Sequence, residues 1–321
     1  MNQARWRVLI GSRSFGRATQ EPLQRLEAAG CEVIPNTLGR GYRAEELQTA
    51  LREMDAIITG VDQLTAEALA GADRLRVISK HGVGLDNIDL NAARSRGIIV
   101  TMTPDAIHDS VADLTLALLL ALARRIVPAH NSTHAGRWER FVGTELHDKT
   151  LGIVGLGRIG KGVATRAQAF GMKVLAYDVF HDDAFAAQHE IQFVELDELL
   201  AESDFVSLHA ALTSTNTHLI GAQQLACMKP TAYLINTARG GLIDEDALAD
   251  ALRAEKIAGA ALDVFQNEPP GADSLLLQLE NVITTPHIAG QTEAGLRRMD
   301  EMAAENVLRV LRNERPLYQV E

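Results

Sequence analysis

The sequence predicts an α/β fold made of two doubly wound parallel-sheet domains, the second inserted into the first. Three observations carry this. Short apolar runs alternate with amphipathic stretches over residues 6–101, break at Thr103-Pro104, and alternate again from Leu151. The length of 321 residues exceeds one typical domain and suits two. The last amphipathic stretch, residues 292–313, finds no strand left to cover in the second half, so it is expected to return to the first. The expected boundaries are residues 1–102 with 291–321 for one domain and 103–290 for the other.

In the first domain, strands are expected at residues 6–10, 31–35, 56–59, 76–79 and 97–101. Helices are expected at 20–29, closed by Gly30, and at 44–52 and 90–95. A short helix at 66–70 has Thr65 as its cap and Gly71 as its stop. Residues 109–126 read as one long apolar helix crossing between the domains, interrupted by Pro128, with a further helix over 130–138. Its richest stretch, residues 114–123, is half of the roughly 20 residues a membrane span needs, so it reads as a buried helix. The second domain has expected strands at 151–154, 173–177, 205–208, 232–236, 258–262 and 282–284. Helices at 158–170, 196–201, 221–227 and 245–254 lie between them.

The net charge of −11 argues against nucleic acid or an anionic membrane as the main partner. Cys31 and Cys227 are far apart and fit no metal spacing, which suits two reduced thiols in a cytoplasmic protein. The first apolar run, residues 8–10, is too short for a signal peptide.

The central motif is Gly155-Leu156-Gly157-Arg158-Ile159-Gly160 between an apolar run and an amphipathic stretch, with Asp178 at the end of the next apolar run. Gly155 permits a tight turn, Gly157 lets backbone approach a pyrophosphate, and Gly160 lets helix and strand pack closely. The helix N-terminus offers N–H groups and a positive dipole end. Asp178 lies about 20 residues on, where a carboxylate accepts from the ribose hydroxyls and repels a 2′-phosphate. The motif therefore predicts NAD rather than NADP.

A dehydrogenase also needs a cation to hold its substrate and a group to move a proton. Arg239 follows the apolar run ending at Asn236, on the sheet edge where open α/β folds bind ligands. A guanidinium there can fork onto a carboxylate and reach the adjacent carbonyl oxygen. His287 follows the run 282–284, and histidine as a residue type ordinarily changes charge near neutral pH, so it suits a group that donates in reduction and accepts in oxidation. Glu268, in a loop stiffened by Pro269 and Pro270, can favour the imidazolium and fix its tautomer. Asp263 can instead reach the nicotinamide end of the cofactor. In the first domain, His81-Gly82-Val83-Gly84 is a glycine-containing turn able to aim successive N–H groups at an anion.

Together these stretches resemble the D-isomer-specific 2-hydroxyacid dehydrogenase family, in its phosphoglycerate dehydrogenase-like branch. The resemblance spans about residues 8–316. It rests on Gly82-Val83-Gly84 with Asp86-Asn87-Ile88-Asp89, the glycine motif, Asn236-Thr237-Ala238-Arg239-Gly240, Asp263-Val264-Phe265 with Glu268-Pro269, and Thr285-Pro286-His287. It implies a catalytic triad of Arg239, Glu268 and His287, with no metal. It implies NAD contacts at Gly155, Gly157, Arg158, Ile159, Gly160, Asp178, Thr213, Thr237, Ala238, Asp263, Ala289 and Gly290. Substrate contacts are implied at His81, Gly82, Val83, Gly84 and Arg239. It also implies a flavodoxin-like substrate domain, an inserted Rossmann NAD domain, and a homodimer built through the NAD domain.

Three departures bear on specificity. Ile107 stands where the family often has a second asparagine, in Thr103-Pro104-Asp105-Ala106-Ile107. The loop His209-Ala210-Ala211-Leu212-Thr213 lacks a stiffening proline. Residues 60–63 carry no arginine of the kind phosphoglycerate enzymes commonly place there, which favours a small acid such as hydroxypyruvate, glyoxylate or pyruvate. A 3-phosphoglycerate dehydrogenase would need another phosphate site, such as Lys80. Phosphite oxidation goes with a lysine near Val83 in the relatives that perform it. A corepressor-like NAD-sensing protein, binding without turnover, is the alternative from a different class.

Overall fold

The structure is a computed structural model that describes residues 6–320. Contacts divide the chain into residues 1–107 with 291–321, and residues 108–290.

The first unit is built from β1 (Trp6–Ile10), α1 (Glu21–Ala28), β2 (Cys31–Ile34), α2 (Ala44–Ala50), β3 (Ala56–Thr59), α3 (Ala66–Leu69), β4 (Val77–Lys80), α4 (Leu90–Ser95) and β5 (Ile99–Thr101). Its five strands are parallel in the order β2-β1-β3-β4-β5. That is the flavodoxin-like order, with its switch point between β1 and β3. Both strand faces are apolar because both are covered. Leu9, Ile57 and Ile78 pack with Leu47 and Leu69, while Val8, Ile58 and Val77 pack with Leu26, Val307 and Leu308. Thr65 caps α3 through Ala68 N. Residues 103–107, expected in the second domain, cluster with the first unit. Thr103 N and Oγ1 both donate to Gly82 O, and Arg298 donates to Ala106 O, which ties this segment down.

The second unit contains α5 (His108–Ala123), α6 (Ile126–His134), β6 (Thr150–Val154), α7 (Arg158–Ala169), β7 (Lys173–Tyr177), α8 (Asp183–Gln188), β8 (Gln192–Phe193), α9 (Leu196–Glu202), β9 (Phe205–Leu208), α10 (Ala222–Cys227), β10 (Tyr233–Asn236), α11 (Glu245–Arg253), β11 (Gly259–Leu262) and β12 (Val282–Thr284). The parallel order is β12-β11-β10-β9-β6-β7-β8, a Rossmann sheet with a seventh strand. Helices α5 and α7 cover one face through Leu119 and Val163, and α9, α10 and α11 the other through Leu199, Leu225 and Leu248. The final helix, α12 (Glu293–Leu311), belongs to the first unit, where Ser79 Oγ donates to Ala303 O beneath it.

The helix expected over 109–126 ends earlier, at Ala123. Arg125 adopts a left-handed φ of 53°, and Thr144 N takes the Ala123 carbonyl that a continuing helix would use. Pro128 is therefore no interruption. It is the third residue of α6, where its missing N–H has no partner to lose. That helix closes at His134 rather than 138, because Gly136 takes a left-handed φ and donates to Thr133 O. The helix α5 lies wholly in the second unit. The short α8 and the two-residue β8 have no counterpart in the sequence reading. They are too brief to show periodicity, although Asp182 caps α8 through Phe185 N.

Among the described residues no helix is long and apolar enough to cross a membrane. Cys31 and Cys227 are both free thiols, and burial pushes Cys31 up to about 11.

Candidate functional site

The carboxyl ends of the second unit's strands gather the motifs. Gly155 follows β6, Asp178 follows β7, and Arg239, Glu268 and His287 follow β10, β11 and β12, which are neighbours in the sheet. This is the edge where doubly wound sheets bind ligands.

Each glycine of the motif has a separate reason to be glycine. Gly155 has φ +97°, and a Cβ there would fall 2.6 Å from Ala210 N. A Cβ on Gly160 would fall 2.2 Å from Gly155 O, so α7 could not start so close to β6. A Cβ on Gly157 would meet nothing within 4 Å. That open side at the N-terminus of a twelve-residue helix fits a pyrophosphate. Asp178 does more than expected. Its Oδ2 accepts from Leu156 N at 2.7 Å and its Oδ1 from Phe180 N at 3.0 Å, so it holds the glycine turn as well as offering lone pairs outward. His209 packs its backbone behind Gly155 and shares a proton with Ser207 at 2.8 Å. Burial drives its pKa down to about 3, so it stays neutral.

Arg239 stands in extended backbone between a turn and a tight crossing. Asn236, fully buried, closes the turn: its Nδ2 donates to Arg239 O at 2.8 Å and its Oδ1 accepts from Ala238 N at 3.0 Å. A Cβ on the next residue, Gly240, would fall 1.9 Å from the Phe265 carbonyl carbon. The glycine thus brings the Arg239 loop directly against the loop carrying Glu268. The guanidinium Nη1 donates to Ala238 O at 2.7 Å.

Glu268 Oε2 meets His287 Nδ1 at 2.7 Å, and its Oε1 accepts from Phe265 N at 3.1 Å. Burial raises the Glu268 pKa. The His287 hydrogen bond and charge, the Phe265 N–H and the charge of Arg239 outweigh burial and leave it below its ordinary 4.5. With Nδ1 on Glu268, the His287 ring turns Nε2 outward, and the ring is half exposed. His287 itself has φ +53°, a conformation that costs a non-glycine residue about 1–3 kcal/mol and persists where neighbours enforce it. Here the enforcer is Asp263. Its carbonyl accepts from His287 N at 2.9 Å, and its buried carboxylate accepts from Thr285 Oγ1, Ile288 N and Ala289 N.

The structure therefore brings Arg239, Glu268 and His287 together and gives Asp263 a structural task at the same turn. Thr237 is placed differently from a direct side-chain contact. Its hydroxyl faces Thr115 Oγ1 at 3.0 Å in the interior, and Ala238 N is held by Asn236, so Thr237 has its backbone rather than its side chain to offer a cofactor. Thr213 is exposed and bonded to Thr215, while Ala289 and Gly290 follow the His287 turn. Arg158 and Ile159 open α7. In the sequence, Asn236, Gly240 and Thr285 read only as members of the motifs around Arg239 and His287, with no role of their own at this site. Their signal was adjacency to the catalytic candidates on the same strand ends.

In the first unit, Gly82 has φ +140° and is fixed by Thr103 on both its N–H and its carbonyl. Among the described residues the N–H groups of Val83 and Gly84 meet no acceptor. The His81 side chain is buried and its backbone N–H donates to Thr59 O at 2.8 Å, so neither faces a substrate anion and the turn's donors are those of Val83 and Gly84. Lys80, the fallback phosphate group, is buried too, with Nζ donating to Gly60 O at 2.5 Å and Asn87 Oδ1 at 2.7 Å.

Residues 116–289 match the family described as D-isomer specific 2-hydroxyacid dehydrogenase, NAD binding domain. A glyoxylate reductase of Korarchaeum cryptofilum is 44% identical over 273 residues, covering 83% of this chain and 82% of that one. The chain belongs to the D-isomer specific 2-hydroxyacid dehydrogenase family. A D-3-phosphoglycerate dehydrogenase of Methanocaldococcus jannaschii is 45% identical over 287 residues, covering 88% of this chain but 55% of that protein. The chain thus spans about half the length of that relative. The solved D-lactate dehydrogenase of Aquifex aeolicus, complexed with NAD and lactic acid, superimposes with a TM-score of 0.84 at 32% identity, over 96% of both chains. The glycine turn and Asp178 accordingly sit in the NAD binding domain of a hydroxyacid dehydrogenase family member.

The Glu268 shift has a testable sign. Its folded-state pKa is lowered, so the stability it contributes is complete above the ordinary 4.5 and lost as pH falls through the lower folded value. Glu268→Gln is therefore expected to lower Tm at neutral pH by more than it does in acid. Thermal melts of both proteins from neutral pH down to the carboxylate range check this. A difference in Tm that does not shrink on acidification contradicts it.

Proposed function

We propose that this chain is an NAD-dependent D-2-hydroxyacid dehydrogenase acting on a small, unphosphorylated 2-keto acid such as glyoxylate, hydroxypyruvate or pyruvate. The observation that carries the reading is the Arg239–Glu268–His287 constellation on three neighbouring strand ends. Arg239 forks onto the C1 carboxylate and polarises the C2 oxygen. The turn of the first unit, taken by itself, is a second candidate for an anionic group, through the N–H groups of Val83 and Gly84. His287 gives a proton from Nε2 to the C2 oxygen in reduction and takes it back in oxidation. Glu268 on Nδ1 holds the ring's orientation and directs Nε2 to the substrate. The glycine turn, Asp178 and the backbone of residues 237–238 would hold NADH, which would supply the hydride for C2. The tying of Lys80 to Gly60 and Asn87, and the lack of an arginine in residues 60–63, support an unphosphorylated substrate over 3-phosphoglycerate.

The test is NADH oxidation at 340 nm with glyoxylate, hydroxypyruvate, pyruvate and 3-phosphohydroxypyruvate, each repeated with NADPH. The reading expects turnover with NADH and one of the three unphosphorylated acids. Preference for the phosphorylated acid would overturn the substrate assignment. NADH binding with no turnover would favour the corepressor-like alternative.

We also propose a homodimer formed through the second unit and a cytoplasmic location, the latter supported by the free thiols. Ile126, Trp138 and Val142 are exposed on one segment of that unit, Trp138 by 83% and Val142 by 94%. Large apolar side chains left so open mark an association surface. Trp138→Glu is expected to convert the dimer to monomer in sedimentation analysis. A variant that stays dimeric would contradict this placement.

A further inference from the structure

A buried hydrogen-bonded chain crosses the ligand edge of the first unit. His81 Nε2 meets Asp300 Oδ1 at 2.7 Å, with the two side chains 1% and 0% exposed. The other Asp300 oxygen accepts from Gly16 N at 3.1 Å. On the far side of the ring, His81 Nδ1 meets Ser12 Oγ at 3.1 Å and Ser14 Oγ at 3.4 Å. Phe15 sets its ring edge-on to the imidazole, with centroids 5.7 Å apart. Since a carboxylate only accepts, His81 Nε2 carries the proton toward Asp300, and Nδ1 faces the serine hydroxyls.

Three separate segments are thereby locked at one point: the loop after β1, the loop after β4, and α12. A buried His–Asp pair is a poor route to stability, since desolvation cancels much of its attraction and apolar residues fill the same space as well. Its position is more informative. His81 is the residue immediately before Gly82-Val83-Gly84, and its backbone N–H is already used on Thr59 O at 2.8 Å. The side chain is thus the remaining handle on that turn's entry, as Thr103 is the handle on Gly82.

We propose that Asp300 and Ser12 are positioning residues for substrate binding. Acting through His81, they fix the direction in which the N–H groups of Val83 and Gly84 point, and so set affinity for the substrate's anionic group. This rests on the reading that the turn binds the keto acid carboxylate. Asp300 belongs to the first unit, bonds Gly16 and His81 rather than any member of the triad, and lies outside the family's NAD binding domain match. Its loss therefore acts on substrate KM and leaves NADH affinity alone.

The test compares wild-type protein with Asp300→Asn and Ser12→Ala. The readouts are KM and kcat for the preferred keto acid, the NADH Kd by fluorescence titration, and circular dichroism. Asp300→Asn keeps the shape but leaves one acceptor oxygen for the two donors, His81 Nε2–H and Gly16 N–H, that the carboxylate serves. It is expected to raise KM about ten- to a hundredfold, the scale of a misplaced binding group, with a smaller fall in kcat and an unchanged NADH Kd. Ser12→Ala is expected to raise KM in the same direction by less, and it decides the question if Asp300→Asn does not fold. An unchanged KM in the folded variant overturns the proposal. So does a loss of NADH binding that parallels the loss of activity, which would mark a merely structural role. Failure of the wild-type protein to reduce any keto acid would instead refute the underlying reading of function.

Discussion

His287→Ala is expected to lower kcat by about 10²–10⁴-fold, the usual contribution of a positioned acid–base group, while NADH binds as before. The separation follows from the site. His287 meets Glu268 through Nδ1 and turns Nε2 outward, and among the described residues it has no hydrogen bond to the glycine turn proposed for the cofactor. Removing the imidazole leaves Glu268 in place, still accepting from Phe265 N. The strained φ at residue 287 is enforced by Asp263 through backbone bonds that alanine retains. The fold should therefore survive and the proton transfer should not. Steady-state kinetics with NADH fluorescence titration measure both. Turnover at the wild-type rate would remove His287 from the mechanism.

Arg239→Ala is expected to cost about 2–5 kcal/mol of binding to the substrate carboxylate and the developing C2 oxyanion, the scale for truncating one partner of a hydrogen-bonded charge pair. That is a fall in kcat/KM of roughly 30- to 4,000-fold. Arg239→Lys should recover only part of it, because an ammonium cannot fork onto a carboxylate and a neighbouring oxygen at once. The variant also removes a positive charge that helps keep Glu268 ionised, so its activity should fall off at a higher pH on the acid side than that of the wild type. Kinetics of the three proteins across pH check all of this. Equal kcat/KM in Arg239→Ala and wild type would contradict the assignment.

Much of this was legible in the sequence because it lay in local signals. The β3 and β9 strands fell on their expected residues, since short apolar runs bounded by polar ones define buried strands tightly. The glycine motif could be read residue by residue because Gly155 and Gly160 answer backbone constraints that a side chain would violate, while Gly157 keeps the helix start open. The α5–α6 break was not legible. The sequence offers Pro128 as the obvious breaker, whereas the chain turns three residues earlier at Arg125, where a tertiary contact from Thr144 takes the last carbonyl. Side-chain direction was equally hidden. Thr237 and His81 stand beside ligand-facing turns, yet one hydroxyl and one imidazole point into the interior, toward Thr115 and Asp300. Partners 122 and 219 positions away leave no trace in a local pattern. Asp263 shows the reverse case: its position beyond β11 suggested a cofactor contact, and its four accepted hydrogen bonds show a residue that holds the His287 turn.

The most direct test of the central claim is the product itself. Purified protein is given NADH with hydroxypyruvate, and separately with pyruvate, and the hydroxy acid formed is quantified by chiral chromatography against NADH consumed. The account predicts one D-2-hydroxy acid for each NADH oxidised with the acid that is turned over, and none in the His287→Ala protein. An L-hydroxy acid, or NADH consumed without any hydroxy acid appearing, would contradict it.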